Sequence, residues 1–349
     1  MSEFLEIFED VTKEGKKIPT TEYLDVGKYP IIDQGQQYIS GYTNDEEGIF
    51  SDVPAIIFGD HTRVLKYIDT PIFLGADGVK LLKSKIDNVN YKFLYYALCN
   101  VYIPNTGYNR HFKWLKEANI NLPPLETQRQ IAATLDKVTH TIDLCNAILE
   151  KLDLLVKSRF VEMFGDTDDR RTIADICSII TDGTHQPPKF IHEGIPFLFV
   201  SNIVTNEITY NAEKFISEET YEELYKRTPI EIGDIVLSTV GSYGHPAVVK
   251  TDRKFLFQRH IAYLKPILSV VNPIYLHSAI LSNDAQRQIE KRVKGIAQKT
   301  LNLSEIRKIT VPIPPIALQE QFAAFVEQTD KSKFVVKQMQ KKAETLKMC

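Results

Sequence analysis

The chain of 349 residues is long enough for about two domains, and its 43% hydrophobic and 25% charged residues are typical of folded globular proteins. Its formal net charge of -3 excludes a uniformly basic nucleic-acid coat, although one basic face remains compatible with it. No stretch approaches the roughly 20 apolar residues of a membrane span, and the acidic start lacks the pattern of a signal peptide. The four cysteines are far apart, which favours a reducing cytoplasm over a disulfide framework or zinc site.

The first 120 or so residues are predicted to be mostly β. Short apolar runs bounded by Gly, Asp and Pro are typical of strands, and such runs occur at 29–32, 55–58 and 71–74. A run with helical spacing follows at 89–100. The pattern therefore predicts a β-rich globular unit that ends with a helix.

A long helix is predicted to begin in the sequence LPPLETQRQIA, which starts at Leu122. Proline suits the first turn of a helix and forces an extended residue before it. Apolar residues then recur in alternating steps of four and three, with Arg159 as the one break: Ile131, Leu135, Val138, Ile142, Cys145, Leu149, Leu152, Val156 and Met163. Sustained over four heptads, this spacing predicts a coiled-coil seam.

The second half of the chain repeats this order. Its runs at 195–200, 233–238, 255–260 and 272–281 match the three strand runs and the helical run of the first half. The helix start recurs as IPPIALQEQFA, which pairs Pro123 with Pro314, Gln128 with Gln319 and Gln130 with Gln321. The predicted stripe of the second helix is Phe322, Phe325, Val326, Val336, Met339, Ala343 and Leu346, interrupted at Thr329 and Lys333. An internal repeat of this kind fixes the architecture.

The predicted fold class is α+β. Two β-rich domains are each followed by a long helix, and the two helices pair as an antiparallel coiled coil that sends the globular units to opposite ends. The predicted boundaries are 1–121 for the first domain, 122–165 for the first helix, 166–312 for the second domain and 313–349 for the second helix. The copies share apolar pattern and length but few exposed residues, as two domains with different targets, or any old duplication, would.

This arrangement resembles the specificity subunit of a type I restriction-modification system. The resemblance covers the whole chain and depends mainly on the doubled P-P-x-x-x-Q-x-Q helix start. The turn Asp182-Gly183-Thr184-His185 and the run 233–238 are also similar to that family. The first domain departs from the pattern, because it has Thr12-Lys13-Glu14-Gly15 in place of that turn and no clear counterpart of Gly233-Asp234.

The resemblance implies a non-catalytic, sequence-specific DNA-binding subunit of a cytoplasmic restriction endonuclease and adenine-specific DNA methyltransferase complex. Each domain is expected to recognise one half of a bipartite double-stranded DNA target, with two target recognition domains in all. The helices are expected to act as the spacer and as the docking surface for two methyltransferase subunits, and restriction/translocase subunits join that complex. No cofactor is expected on this chain; S-adenosylmethionine, ATP and magnesium are implied for the partner subunits.

Helix length agrees with that expectation. About 35 helical residues at roughly 1.5 Å each give about 50 Å, which matches roughly 15 base pairs at about 3.4 Å per pair. Two half-sites separated by a fixed, non-specific gap follow from a spacer of this length.

Candidate DNA-binding residues cluster in corresponding loops of the two copies. Base edges are contacted by Arg, Lys, Asn, Gln, Ser and Thr, whereas phosphate contacts position the protein. The candidates in the first domain are His61, Thr62, Arg63, Asn109, Arg110 and Lys113. Those in the second domain are Thr239, Ser242, Tyr243, His245, Gln258, Arg292, Lys294, Gln298, Lys299 and Asn302.

Some polar segments also have a purely structural interpretation. The basic run Arg287, Lys291, Arg292, Lys294 and Lys299 suits phosphate anchors and a solvated helix face equally well. The 182–185 turn is expected to be structural, with Gly183 at positive φ. Strand alternation predicts that Gln258 and His260 point to one side and Arg259 to the other. Trp114 and Leu115 are expected in the core.

Two other functions stay open. A self-contained DNA-modifying or DNA-cleaving enzyme is compatible with scattered acidic residues, although the sequence has no phosphate loop, no Asn-Pro-Pro-Tyr run and no Cys/His cluster with metal spacing. A coiled-coil scaffold that does not bind DNA is the other. DNA recognition is favoured over catalysis, because a catalytic site should recur in both copies, whereas a hydrophobic frame and polar loops are what recurs.

Overall fold

The computed structural model describes residues 2–75, 77–295 and 298–348. Ala76, in the run that matches 255–260, and Cys349, the predicted end of the second helix, lie outside the described residues. The described chain divides into two compact units. Unit 1 contains the residues up to Asp143 and those from Lys341 onward, and unit 2 runs from Leu144 to Gln340.

Unit 1 begins with short strands and helices that alternate along the chain. Its elements are β1 (Ser2–Glu3), α1 (Phe4–Ile7), β2 (Phe8–Asp10), β3 (Tyr29–Ile32), β4 (Gly41–Thr43), β5 (Ala55–Gly59), β6 (Leu65–Ile68), β7 (Phe73–Leu74), β8 (Val79–Ser84), α2 (Tyr91–Cys99), α3 (Phe112–Lys116), β9 (Asn119–Ile120) and the start of α4 (Leu125–Phe164). The predicted strands at 29–32 and 55–58 and the predicted helix at 89–100 are confirmed, whereas the run at 71–74 forms a strand only at Phe73–Leu74.

Unit 2 contains the rest of α4 and a second set of elements in the same order, with additional helices at 218–225 and 283–292. They are β10 (Arg170–Thr172), α5 (Ile173–Ile176), β11 (Cys177–Asp182), β12 (Ile195–Leu198), β13 (Lys214–Ile216), α6 (Glu218–Tyr225), β14 (Ile235–Ser238), β15 (Pro246–Val248), β16 (Leu256–Phe257), β17 (Ile261–Pro266), α7 (Pro273–Leu281), α8 (Asn283–Arg292), α9 (Leu303–Ile306), β18 (Thr310–Pro312) and most of α10 (Ile316–Met348). Short 3₁₀ turns at 12–14, 20–22 and 200–202 complete the described elements.

The two units have the same sheet topology. In the described part of unit 1 the sheet orders are β2-β8-β5-β6, β4-β3-β7 and β1-β9, and in unit 2 they are β11-β17-β14-β15, β13-β12-β16 and β10-β18. Even the parallel pairs correspond, since Ile31 pairs with Phe73 in unit 1 and Phe197 with Leu256 in unit 2. The predicted duplication therefore holds at the level of strand order and register.

The apolar runs form central strands because both of their faces are buried. In β5, Ile56 and Phe58 pack on the core that contains α1 and α2, whereas Ala55 and Ile57 pack on a second core between the sheets. β14 does the same, with Ile235 on one core and Val236 on the other. A strand that is covered on both sides needs a continuous apolar run rather than an alternating one.

Within unit 2, α4 and α10 pair antiparallel. The Asn146 side chain accepts a hydrogen bond from Gln340 at 3.1 Å, and Asp153 pairs with Lys333 at 2.6 Å. Near the other end of the pair, the ring of Phe164 packs edge-on against Phe322, with centroids 5.5 Å apart. Residue numbers rise in α4 as they fall in α10, as the predicted antiparallel coiled coil requires.

The stripe predicted for α4 lies on its protected side. Cys145 is buried, and most other members are half-buried, while Ile131 at the start is 37% exposed. For α10, the prediction is wrong at two residues of the stripe, because Met339 is 52% exposed and Leu346 is 64% exposed.

The protected side of α10 includes the two polar residues that were expected to interrupt it. Thr329 is 5% exposed and donates its hydroxyl to the Phe325 carbonyl at 2.9 Å. The Lys333 side chain is 19% exposed and reaches Asp153. Each polar group therefore has a partner, which is the condition for tolerating it in a seam.

Among the described residues, no helix combines the length and the apolar content that crossing a membrane requires.

Candidate nucleic-acid interface

In unit 1 the two predicted polar segments meet at the end of β5. The backbone N–H of His111 donates to the Asp60 carbonyl at 2.8 Å, and the N–H of Phe112 donates to the Asp60 carboxylate at 2.8 Å. Asp60 is 5% exposed and His111 is fully buried. These buried contacts hold the segment 60–64 against the segment 103–113, although the two are far apart in sequence.

Unit 2 joins the corresponding segments in the same way. At the end of β14, the N–H of Leu301 donates to the Thr239 carbonyl at 2.8 Å. The N–H of Gly241 donates to the Lys299 carbonyl at 3.1 Å. The expectation that the two clusters of each unit lie at matching places in the fold is consistent with this geometry.

Exposed aromatic and polar side chains form the outer surface of the joined segments in unit 1. The His61 ring stacks on Tyr108 with centroids 4.5 Å apart and planes 8° apart. Tyr108 is 85% exposed, so one face of this stack is open to a ligand. Asn109 and Arg110 are exposed beside it. Lys113 is also exposed, with its Nζ 4.1 Å from the centre of the Trp114 ring.

Thr62 and Arg63 are half-buried and make contacts that hold the loop. The Thr62 hydroxyl donates to the Gln34 carbonyl at 2.5 Å. Arg63 has a φ of 64° and donates from a terminal nitrogen to the Ile103 carbonyl at 3.3 Å. The remaining guanidinium donors of Arg63 are the part of these two residues that could contact DNA.

The predicted residues of unit 2 differ in how accessible they are. Ser242, Lys294, Gln298, Lys299 and Asn302 are exposed, whereas Thr239 is only 5% exposed. Tyr243 is half-buried, with Lys299 Nζ 6.0 Å from its ring centre. His245 is held by a 3.1 Å hydrogen bond between its Nδ1 and Asn206 Oδ1. Arg292 is half-buried and donates to the Gln288 carbonyl at 3.0 Å.

The expected strand alternation at 258–260 is wrong. β16 ends at Phe257, Gln258 forms an isolated bridge with Thr184, and Arg259 and His260 lie in a turn. The Arg259 Nε donates to His260 Nε2 at 3.3 Å. Burial, followed by the Arg259 charge, lowers the pKa of His260, which keeps its ring neutral at physiological pH.

The turn at 182–185 is structural, as expected, but not for the expected reason at glycine. The Asp182 carboxylate accepts from His185 Nε2 and from Arg227, both at 2.9 Å. Gly183 does not have a positive φ. A Cβ there would lie 2.2 Å from the Phe257 carbonyl oxygen, so close backbone approach, rather than left-handed geometry, requires glycine.

A buried polar network lies at the opposite end of β14. Asp234, 3% exposed, accepts from the Tyr263 hydroxyl at 2.9 Å and from the Glu231 N–H at 2.8 Å. Burial raises the pKa of Asp234 above its usual value, although these hydrogen bonds and Lys265 oppose the shift. The strand registers place Ala55 and Leu81 of unit 1 where Asp234 and Tyr263 stand. This substitution accounts for the missing counterpart of Gly233-Asp234.

The first glutamine of the doubled motif has a role that the sequence did not reveal. Gln128 accepts from the Asn90 N–H at 3.0 Å and donates to the Pro123 carbonyl at 2.8 Å. Gln319 accepts from the Asn272 N–H at 2.9 Å and donates to the Pro314 carbonyl at 2.8 Å. Asn90 and Asn272 are the N-caps of α2 and α7. The repeated glutamine therefore ties each long helix to a capped helix of its own unit.

The comparisons with known proteins agree with this architecture. The family model described as "Type I restriction modification DNA specificity domain" matches residues 1–154 and 169–346. The chain therefore belongs to the family of type I restriction-modification DNA specificity proteins. Proteins of this family are specificity subunits, the non-catalytic components of those systems.

Individual relatives are distant. The EcoBI specificity subunit of Escherichia coli is 26% identical over 282 residues, which are 69% of this chain and 59% of that protein. A second type I specificity subunit of Escherichia coli is 21% identical over 90% of this chain and 82% of its own length. The crystal structure of a type I S subunit from M. genitalium covers 99% of this chain and 93% of its own, with a TM-score of 0.64 and 17% identity. That likeness shows the fold.

Proposed function

We propose that the chain recognises a bipartite DNA target, with one half-site bound by each unit. The observation that carries this proposal is the pair of equivalent loop junctions, His111 to Asp60 and Leu301 to Thr239. In each unit they bring polar segments that are distant in sequence to the same end of a central strand. Two frames of the same sheet topology with different exposed side chains suit two different half-sites.

The exposed side chains at these junctions have the chemistry of base recognition. Asn and Gln pair with adenine through its N6 and N7 atoms, and Arg and Lys donate to guanine O6 and N7. Asn109 and Arg110 supply these groups in unit 1, and Gln298 and Lys299 supply them in unit 2. The other basic side chains suit phosphate contacts, which position the protein without sequence preference.

The long helices are proposed to set the gap between the half-sites. α4 has 40 residues, which corresponds to about 60 Å at about 1.5 Å per residue. Because α4 and α10 pair antiparallel within unit 2, the gap depends on both helices together.

The helices also suit the docking of two methyltransferase subunits. Several apolar side chains on their outer faces are exposed: Leu144, Ile148, Leu154, Leu155, Val161, Phe334, Val335 and Met339. Exposed apolar groups in such numbers are typical of protein interfaces. In this proposal the chain binds no cofactor, the restriction/translocase and methyltransferase subunits use S-adenosylmethionine, ATP and magnesium, and the complex works in the cytoplasm.

Methylome mapping of cells that carry this chain with its methyltransferase subunit tests the proposal. We expect adenine methylation in one bipartite motif with a fixed non-specific gap. Methylation of a single uninterrupted motif would contradict the assignment of one half-site to each unit.

The two alternatives have separate tests. An enzyme predicts cutting or methyl transfer when the purified chain alone is incubated with plasmid, magnesium and S-adenosylmethionine, whereas we expect neither. A coiled-coil scaffold predicts that every DNA sequence is released alike at moderate salt. We expect instead that the specific sequence stays bound at a salt concentration that releases the others.

A further inference from the structure

Unit 2 contains an open cleft beside the predicted DNA-binding loop. The cleft has a volume of about 480 Å³ and is lined by Tyr243, Asn283, Gln286, Arg287 and Glu290. Four of these residues lie on α8, and Asn283, Gln286 and Glu290 were not among the predicted DNA-binding residues. No sequence pattern indicates the cleft, because its two walls meet only in the folded unit.

The cleft is a built feature, since its floor is fixed by hydrogen bonds. The Gln286 Nε2 donates to the Gly244 carbonyl and to the Ile280 carbonyl, both at 2.9 Å. Gly244 has a φ of 81°, a conformation that suits glycine. On the inner side of α8, Ala285 and Ile289 are buried in the core. The loop 241–245 and α8 therefore form the two walls of the cleft and are held rigidly against each other.

The side chains on the rim are free to bind a ligand. Within the described part of the chain, the Asn283 amide, the Glu290 carboxylate and the Tyr243 hydroxyl have no hydrogen-bond or ion-pair partner. Arg287 uses its Nε on the Asn283 carbonyl at 3.2 Å, which leaves both terminal nitrogens as donors. A rim with strong donors and a pure acceptor suits a ligand that presents both kinds of group.

Glu290 is the informative residue of this rim. It is exposed in a stretch that also carries Arg287, Lys291, Arg292 and Lys294. DNA phosphates repel a carboxylate, so Glu290 does not strengthen binding to the DNA backbone. A carboxylate can strengthen DNA binding when it accepts a hydrogen bond from the amino group of a base. In the major groove its usual partner is cytosine N4.

We infer that Arg287 and Glu290 recognise one G·C pair in the half-site bound by unit 2, with α8 in the major groove. This inference rests on the proposed DNA-binding function. Residues three apart on a helix are neighbours, about 5–6 Å between Cβ atoms. The Arg287 donors match guanine O6 and N7, and the Glu290 acceptor matches cytosine N4, so the two side chains complement the major-groove edge of that pair.

Selection from a randomised double-stranded DNA library tests the inference on the full chain. We expect the wild-type chain to enrich a bipartite motif with a G·C pair in the half-site that Lys299→Ala weakens. Glu290→Gln should lower the discrimination at that pair by about tenfold, the effect of one base contact. Arg287→Lys keeps the charge but loses the bidentate fork, so it should weaken the preference for guanine at the same pair.

Glu222→Gln is the matched control, because Glu222 is an exposed carboxylate on α6 of the same unit. It should leave the motif unchanged, and all variants should unfold at the wild-type temperature. An unchanged motif for Glu290→Gln, or a wild-type half-site without a G·C pair, overturns this inference and leaves the proposed function standing. If the wild-type chain enriches no motif, both the inference and the proposed function are contradicted.

Discussion

The units differ most where they are proposed to meet DNA. Unit 2 places the ten-residue helix α8 between α7 and the segment that carries Gln298, Lys299 and Asn302. Unit 1 spans the equivalent stretch, residues 100–111, without a described helix and exposes Tyr102 and Tyr108 there. Pro104 and Gly107 disfavour a helix in that stretch. One frame thus presents a basic helix in one copy and an aromatic loop in the other.

The frame behind these surfaces is kept even where its chemistry changes. Lys83 pairs with Asp52 in unit 1, and Lys265 pairs with Glu231 at the equivalent place in unit 2. Beside that ion pair, unit 1 has the apolar Ala55, whereas unit 2 has the buried carboxylate of Asp234. The glutamine that ties helix to N-cap is the same in both. Contacts that position the strands and helices persist, and exposed groups diverge.

The largest effect is expected from changing one spacer helix alone. Seven residues inserted before Asp153 shift α4 by two turns against α10, so that Asn146 and Gln340 no longer face each other. We expect loss of the bipartite motif in binding-site selection, with at least a hundredfold weaker binding to the wild-type site.

A matched insertion in both helices should restore the pairing. Seven more residues after Lys333 keep the contact between Asp153 and Lys333 and return Asn146 to Gln340. The preferred gap should then grow by about three base pairs, since seven residues add about 10 Å. An unchanged gap in this double insertion would contradict the role of the helices as spacer.

The next largest effect is expected from removing Gln319 or Gln128, which tie each long helix to an N-cap. Gln319→Ala removes three hydrogen bonds, including one of 3.1 Å to the Val270 carbonyl, and leaves buried groups unsatisfied. We expect it to lower the free energy of unfolding of unit 2 by roughly 3 kcal/mol. Gln128→Ala removes two such bonds in unit 1 and should cost roughly 2 kcal/mol. Denaturant unfolding measures both.

The second glutamine of each motif supplies the control. Gln130 and Gln321 are exposed, so Gln130→Ala and Gln321→Ala should change the free energy of unfolding by less than about 0.5 kcal/mol. Equal losses for the buried and exposed glutamines would show that the ties do not stabilise the units.

These glutamines also show what the sequence could and could not predict. Apolar period, proline starts and the repeat were enough for the central apolar strands and for the antiparallel pairing of the long helices, because burial on a sheet or a seam is a local pattern. They did not predict that β16 ends at Phe257 or that Met339 and Leu346 are exposed. Gln128 and Gln130 look alike in sequence, and only the fold buries the first against Asn90. The cleft at Glu290 was missed for the same reason, since loop 241–245 and α8 are brought together by tertiary packing.

A smaller effect is expected from the aromatic surface of unit 1. Tyr108→Ala removes the partner of the His61 ring and should weaken binding at the half-site of unit 1 by about tenfold, the effect of losing one DNA contact. Tyr108→Phe keeps the ring and should bind like wild type. Because Tyr108 is 85% exposed, neither change should alter stability. Weaker binding at the half-site of unit 2 instead would contradict the assignment of this stack to the half-site of unit 1.

The smallest effect is a pH dependence confined to unit 2. Burial raises the pKa of Asp234 above its usual 3.8, so at pH values between 3.8 and the raised pKa the folded unit holds a proton that the unfolded chain releases. The stability from this proton is fully present below 3.8 and is lost as pH rises through the raised pKa. Wild type should therefore gain stability relative to Asp234→Asn on acidification from pH 7 to 4, measured by denaturant unfolding. A constant difference would contradict the raised pKa.

The division of the target between the units is tested most directly by mapping methylation in cells that carry Arg110→Ala or Lys299→Ala. Both side chains are exposed, one in each unit. We expect Arg110→Ala to relax or weaken one half-site and Lys299→Ala to relax or weaken the other, with the gap unchanged. Equal loss at both half-sites from either variant would contradict the account.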